Sequence, residues 1–173
     1  MYADYKDQTS QTVVHILGSF LRQLLTTVPA PIPEEVIQKL DDIRHGGRKV
    51  EITDSLAMLK IRLHQLKRAF ICIDALDELE PKVRQQLLNI LKELAIKNNV
   101  RLFLTGRGHI EDEVHNCFKV EPRQGYTVNI SASQEDIRQF VRQQIKEDLN
   151  PEAMDIGLAK GIEDTIIEKS KGM

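Results

Sequence analysis

The sequence predicts an α/β domain: a parallel sheet flanked by helices. Three observations predict it. Apolar residues recur at spacings of three and four through several long stretches, the mark of helices with one buried stripe. Two short apolar runs without alternation, AFICI at residues 69–73 and VRLFLT at 100–105, read as strands buried on both faces, the usual state in a parallel sheet. Between them lies a segment with its own helical period, the crossover that a parallel pair requires.

Bulk properties bound the class. A chain of 173 residues suffices for one such domain with a real core. Its 41% hydrophobic and 29% charged residues are ordinary for a globular protein. A net charge of -2 supplies no basic field to draw the chain to nucleic acid. Cys72 and Cys117 are too few for a disulfide framework, and no CxxC spacing suggests zinc. Cys72, inside an apolar run, reads as a buried small side chain in a reduced compartment. No apolar stretch approaches the roughly 20 residues needed to span a bilayer, and MYADYKDQTS has no signal-peptide pattern. The expected setting is cytoplasmic, with neither nucleic acid nor membrane as partner.

In chain order, residues 2–5 are expected to close a short strand. Residues 8–26 then carry Val13, Val14, Leu17, Phe20, Leu21, Leu24 and Leu25 on one helical stripe. Pro29, Pro31 and Pro33 break that helix and open a second, lined by Val36, Ile37, Leu40 and Ile43. The glycines in residues 44–49 mark a surface loop. Leu56, Leu59, Leu63 and Leu66 mark a third helix, capped near Thr53 or Asp54. After the strand at 69–73, a helix starts at Pro81 and carries Leu87, Leu88, Leu91 and Leu94. The strand at 100–105 follows, and residues 126–130 (YTVNI) are expected to be a third strand. Ser133 and Asp136 form a capping box for a helix with Ile137, Phe140, Val141 and Ile145. A last helix is expected from Pro151 to about Lys169.

The most informative stretch is residues 69–79, AFICIDALDEL. An apolar strand feeds directly into Asp74, with Asp77 and Glu78 close behind. In an open parallel sheet, ligands sit beyond the carboxyl ends of the strands. A carboxylate there can reach a hydrated magnesium ion on nucleotide phosphates, because magnesium prefers oxygen ligands and keeps several waters. A further acid can orient or activate the water that attacks a γ-phosphate. The bland alternative is a buried strand before an acidic helix start. The next strand end, LFLTGR, adds Thr105, able to donate to a γ-phosphate, and Arg107, able to pair with phosphate or with an acid across a subunit boundary.

These residues resemble a known family. IDALDEL is similar to the extended Walker B segment of NACHT domains, and LFLTGR to their sensor strand. YTVNISASQEDIRQFVRQQI resembles the strand and helix that close that nucleotide-binding core. YADYKDQTSQTVVHILGSFLRQLL looks like the strand and helix after the P-loop helix in the fungal nephrocystin-like, NLR-like group. The resemblance implies a P-loop NTPase of the STAND class, a nucleotide-dependent signal-transduction switch related to innate-immunity proteins. It implies residues 1–148 as a partial nucleotide-binding core and 149–173 as the start of a helical lid. By residue, Asp74 would hold magnesium, Asp77 and Glu78 would be catalytic and handle the water, and Thr105 and Arg107 would bind the nucleotide as sensors. The complete domain would take Mg2+ with ATP or GTP. Ala75 stands where the family commonly has Gly, and Gly106 where it has Ser, both read as tolerated small-residue variation.

The larger departure is that no GxxxxGK[ST] phosphate-binding loop occurs. Residues 46–49, GGRK, have the wrong spacing and no preceding apolar strand. The resemblance puts that loop upstream, so the chain is expected to be a truncated piece, with true loss as the other account. In either case it is expected to bind nucleotide poorly alone and not to be active alone. Its expected partners are the missing P-loop segment, an effector domain, C-terminal sensor repeats and further copies of itself. The family's strand order puts the missing strand between the one ending at Thr105 and residues 126–130, leaving an aggregation-prone gap unless something fills it. The alternative function is a catalytically dead NACHT-like interaction or oligomerisation module. A DNA-processing AAA-like ATPase shares the acidic strand end, and the balanced charge argues against it. The five histidines have no metal-ligand spacing, and His115 with Cys117, two residues apart in an expected loop, do not make a nucleophilic pair.

Overall fold

The computed structural model describes residues 1, 3, 11–27, 30–118, 125–147 and 155–170. Within them the order is α1 (Val13–Thr27), α2 (Glu34–His45), α3 (Ile52–His64), β1 (Ala69–Ile73), α4 (Pro81–Lys97), β2 (Val100–Leu104), α5 (Glu111–Phe118), α6 (Gln134–Lys146) and α7 (Ile156–Ser170). Single 3-10 turns, Leu76–Glu78 and Gly108–Ile110, follow the two strands. The architecture is mixed and mostly helical, around a small parallel sheet. The chain divides into two compact units, Met1–Arg123 and Gln124–Met173. The domain boundary expected after residue 148 lies outside the described residues, as do most of residues 2–5, the start of the first expected helix, and Pro151.

The first unit is organised by the apolar stripes read from the sequence. α1 buries Val13, Ile16, Leu17, Phe20 and Leu21 and packs on α3, which buries Met58, Leu59 and Leu63. α2 starts at Pro33 with Glu34 and Glu35 in its first turn and ends with Arg44 and His45, charges that suit the helix dipole. α3 is capped at Glu51, not at Thr53 or Asp54. Asp54 lies one turn inside, accepting the Glu51 N–H at 3.0 Å and a bidentate pair from Arg48 at 2.5 and 2.8 Å. Those bonds to the charged form hold the Asp54 carboxyl well below the usual carboxylate range. Arg62 is fully buried, a residue the hydrophobic pattern did not single out. It donates to the carbonyls of Ala30 and Pro31, each at 2.9 Å, tying the proline-rich turn to α3.

α4 opens with Pro81 at its first position and ends at Asn98, followed by Asn99 in the left-handed region (φ 49°). Asn tolerates that conformation better than most residues, and its side chain donates to the Lys67 carbonyl. This closure returns the chain for β2 to lie parallel to β1, with Ala69 opposite Val100 and Ile73 opposite Leu104. On the other side of β1, the Met1 amine donates to the Cys72 carbonyl, Asp74 N–H to Met1 O, and Ala3 N–H to Asp74 O.

The strands differ from expectation in burial. β1 alternates: Ala69, Ile71 and Ile73 are buried, while Phe70 is 70% exposed and Cys72 is exposed. In β2, Phe103 is 65% exposed. Within the described residues of the first unit the sheet is therefore covered on one face rather than two, with α4 packed against β2. The expected third strand is also corrected. Residues 126–130 form no strand, Tyr126, Val128 and Ile130 are all exposed, and the sheet has two strands among the described residues. Alternation favours a strand only where a partner offers a ladder and a face to bury. Residues 111–118, expected as loop around His115 and Cys117, are the helix α5.

The second unit pairs α6 with α7. Ser133 accepts the Asp136 N–H at 3.1 Å and Asp136 accepts the Ser133 N–H at 2.9 Å, the expected capping box. Val141 and Ile167 are buried, and Arg142 grips Glu163 through two 3.0 Å bonds. No helix among the described residues is long and apolar enough to cross a membrane.

Candidate functional site

The carboxyl ends of β1 and β2 lie side by side because the two strands are parallel and in register. The strand ladder extends one step past each end, with Thr105 N–H donating to Ile73 O at 3.0 Å. Asp74 and Thr105 are thereby neighbours, and the Thr105 hydroxyl donates to Asp74 Oδ1. The same hydroxyl accepts the Ala75 N–H at 3.0 Å. Thr105 thus has its proton committed to Asp74, and fixes that carboxylate's orientation. The other oxygen, Asp74 Oδ2, has no partner among the described residues, and the residue is exposed.

Beyond Asp74 the backbone reverses sharply. Ala75 takes the left-handed conformation (φ 56°, ψ 44°), which sends Leu76 into the core and presents Asp77 and Glu78 on a single 3-10 turn. Leu76 N–H donates to Thr105 O at 2.8 Å, a further link between the strand ends. The Asp77 side chain is only 5% exposed and accepts the Arg107 N–H at 3.2 Å. The Arg107 guanidinium, 76% exposed, lies 3.6 Å from Asp77 and 3.9 Å from Glu78. Within its own chain these are the acids it approaches. The five residues selected by sequence are brought together in two neighbouring groups: Asp74 with Thr105, and Asp77 and Glu78 with Arg107.

At Gly106 a Cβ would sit 2.7 Å from Ile110 Cδ1 and 3.4 Å from Asp77 Oδ1, so a serine there would require the end of the buried Ile110 side chain to shift. Sequence reasoning also passed over Arg84. It is 8% exposed and donates to Leu79 O at 3.0 Å, to Asp77 O at 3.4 Å and to Glu113 Oε2 at 2.8 Å. Its position in the first turns of α4 was readable, but its partners lie on a preceding turn and on α5, which no local pattern announces. Asp77, Glu78, Arg84, Arg107 and His109 line a shallow depression between the strand ends and α4.

The donor set can be tested against a metal. No group of three or more His, Cys, Asp or Glu side chains able to hold an ion occurs among the described residues. A protein-only cage of the calcium kind does not fit. One oriented carboxylate with an open oxygen does fit magnesium, which keeps waters and takes its other ligands from phosphates. Asp74 is the residue that would hold it.

Comparison with known proteins places residues 1–107 in a match to the family model described as nephrocystin 3, N-terminal. That match spans β1, the acidic turn and β2, and ends at Arg107. No curated protein and no solved structure matches the chain.

Proposed function

We propose, from the premise that this chain belongs to the nephrocystin 3 N-terminal family, that it is the magnesium-holding half of a NACHT-type nucleotide switch. In this reading the β1 and β2 ends form one side of an ATP or GTP site in a P-loop NTPase core. The phosphate-binding strand and helix come from outside these residues. The observation that carries the reading is Asp74, held by Thr105 across the strand pair with one oxygen open, immediately before two more acids.

The chain's own residues would then divide the work. Asp74 offers Oδ2 to a hydrated cation, and Thr105 keeps that oxygen aimed by holding the other one. Glu78, more open than Asp77, is the acid placed to accept a proton from water, while Asp77 anchors the Arg107 loop. The exposed Arg107 guanidinium is available to swing from its weak pairing onto phosphate. A magnesium–nucleotide pair supplies charge neutralisation on the β- and γ-phosphates. The bare sheet face carrying Phe70 and Phe103 supports the idea of an absent covering layer, since large exposed apolar patches mark interaction sites.

Calorimetry with Mg-ATP and Mg-ADP tests the reading, on this chain and on a version extended upstream. No binding here with binding in the extended form, abolished by Asp74→Ala, is the expected outcome. Absence of binding in both would overturn it. That result leaves the second reading, an interaction or oligomerisation module, which the same bare apolar face favours.

A further inference from the structure

We propose that Arg84 is the positioning residue of the acidic turn, and that Glu113 on α5 acts on that turn through it. The turn is poorly self-supporting. It is one 3-10 turn of three residues, closed by Glu78 N–H on Ala75 O at 2.9 Å and Leu79 N–H on Leu76 O at 3.3 Å, and such short pieces have weak hydrogen-bond geometry. Its Asp77 and Leu79 carbonyls are taken up by the Arg84 guanidinium.

A nearly buried guanidinium is costly unless its donors are satisfied. Arg84 meets that demand with two turn carbonyls on one nitrogen and the Glu113 carboxylate on another. The arrangement closes a ring. Asp77 accepts the Arg107 N–H; from Arg107 the chain runs through Gly108–Ile110 into α5; Glu113 on α5 holds Arg84; and Arg84 returns to Asp77 and Leu79. A displacement of the Arg107 loop therefore reaches Asp77 from two sides. Glu113 lies beyond the residues matched by the family model, so this brace joins the matched segment to α5 outside it. Its consequence for catalysis rests on the nucleotide reading above, whereas the brace itself does not.

The test is amide hydrogen exchange on the full chain without nucleotide, for the wild type, Arg84→Met, Arg84→Lys and Glu113→Gln. Arg84→Met is expected to speed exchange of the Glu78 and Leu79 amides at least about tenfold, with α1 and α3 amides unchanged. Arg84→Lys, which keeps a donor but not the fork, is expected to restore part of the protection. Glu113→Gln is expected to give a several-fold rise confined to the same two amides. An unchanged turn overturns the proposal, and so does a uniform rise across α1, α3 and the turn. Should Arg84→Met fail to fold, Glu113→Gln decides by the same criterion. Because no nucleotide is present, failure of the nucleotide reading leaves this result standing, and failure here leaves Asp74 untouched.

Discussion

The two faces of the β1–β2 sheet are made by the same ten residues and have opposite fates. One face buries Ala69, Ile71, Ile73 and Val100; the other shows Phe70, Cys72, Arg101 and Phe103 to solvent. Apart from Arg101 the two faces do not differ in kind, since phenylalanine and cysteine are as fit for a core as isoleucine. What differs is supply: the described elements of the first unit furnish one covering layer. Apolar composition thus reports that a face can be buried, and only the rest of the fold decides whether it is.

The largest effect that can break this comparison is on stability. Ile73→Ala removes a side chain that is 1% exposed, and is expected to cost about 2–5 kcal/mol. Phe103→Ala, on the neighbouring strand but the other face, is expected to cost under about 1 kcal/mol. Urea denaturation of both variants measures the contrast. Equal losses would mean that the second face is covered in solution, and a midpoint that rises with protein concentration would identify another copy as the cover.

The same contrast explains which parts of the fold were readable. The parallel pair followed from two apolar runs flanking a helical segment, and Pro81 marked the start of α4. Asp74 and Thr105 were readable as strand-end polar residues because register in a parallel pair carries equivalent positions to one edge. The α3 cap and the helix α5 were local misreadings; the failures at the sheet and its braces were non-local. Residues 126–130 alternate correctly for a strand, yet a strand is a property of two segments. The one-sided burial of β1 depended on a layer the strand cannot encode. Arg62 and Arg84 are charges that no apolar stripe singles out, and their partners Pro31 and Glu113 are 31 and 29 residues away.

A smaller effect sharpens the comparison where β1 ends. Ala75 is left-handed at φ 56°, and that reversal turns the chain from the strand edge so that Leu76 enters the covered side. An L-residue with a Cβ there costs roughly 1–2 kcal/mol, whereas glycine gives back about 0.4–1 kcal/mol through its freer unfolded chain. Ala75→Gly is therefore expected to stabilise by about 0.5–1 kcal/mol by the same urea measurement. A loss of stability would show that the Ala75 methyl contributes packing the turn needs.

The smallest perturbation changes no core side chain and asks only which thiol meets solvent first. Cys72 lies on the bare face, and Cys117 is half-buried on α5 beside Asn89, where burial pushes its thiol up from the ordinary value. The thiolate is the reactive form. At pH 8 a disulfide reagent is therefore expected to label Cys72 several-fold faster than Cys117, read on Cys72→Ser and Cys117→Ser variants. The sign of the pH effect is fixed by that upward shift. As pH rises toward the raised Cys117 value, its thiolate fraction grows and the gap between the two rates narrows to whatever accessibility alone imposes. Slower labelling at Cys72 would mean that the sheet's second face is closed in solution. The upstream-extended protein gives the complementary arm: protection of Cys72 there, with Cys117 unchanged, would identify the added strand and helix as the missing layer, whereas undiminished labelling would leave that face free for a partner.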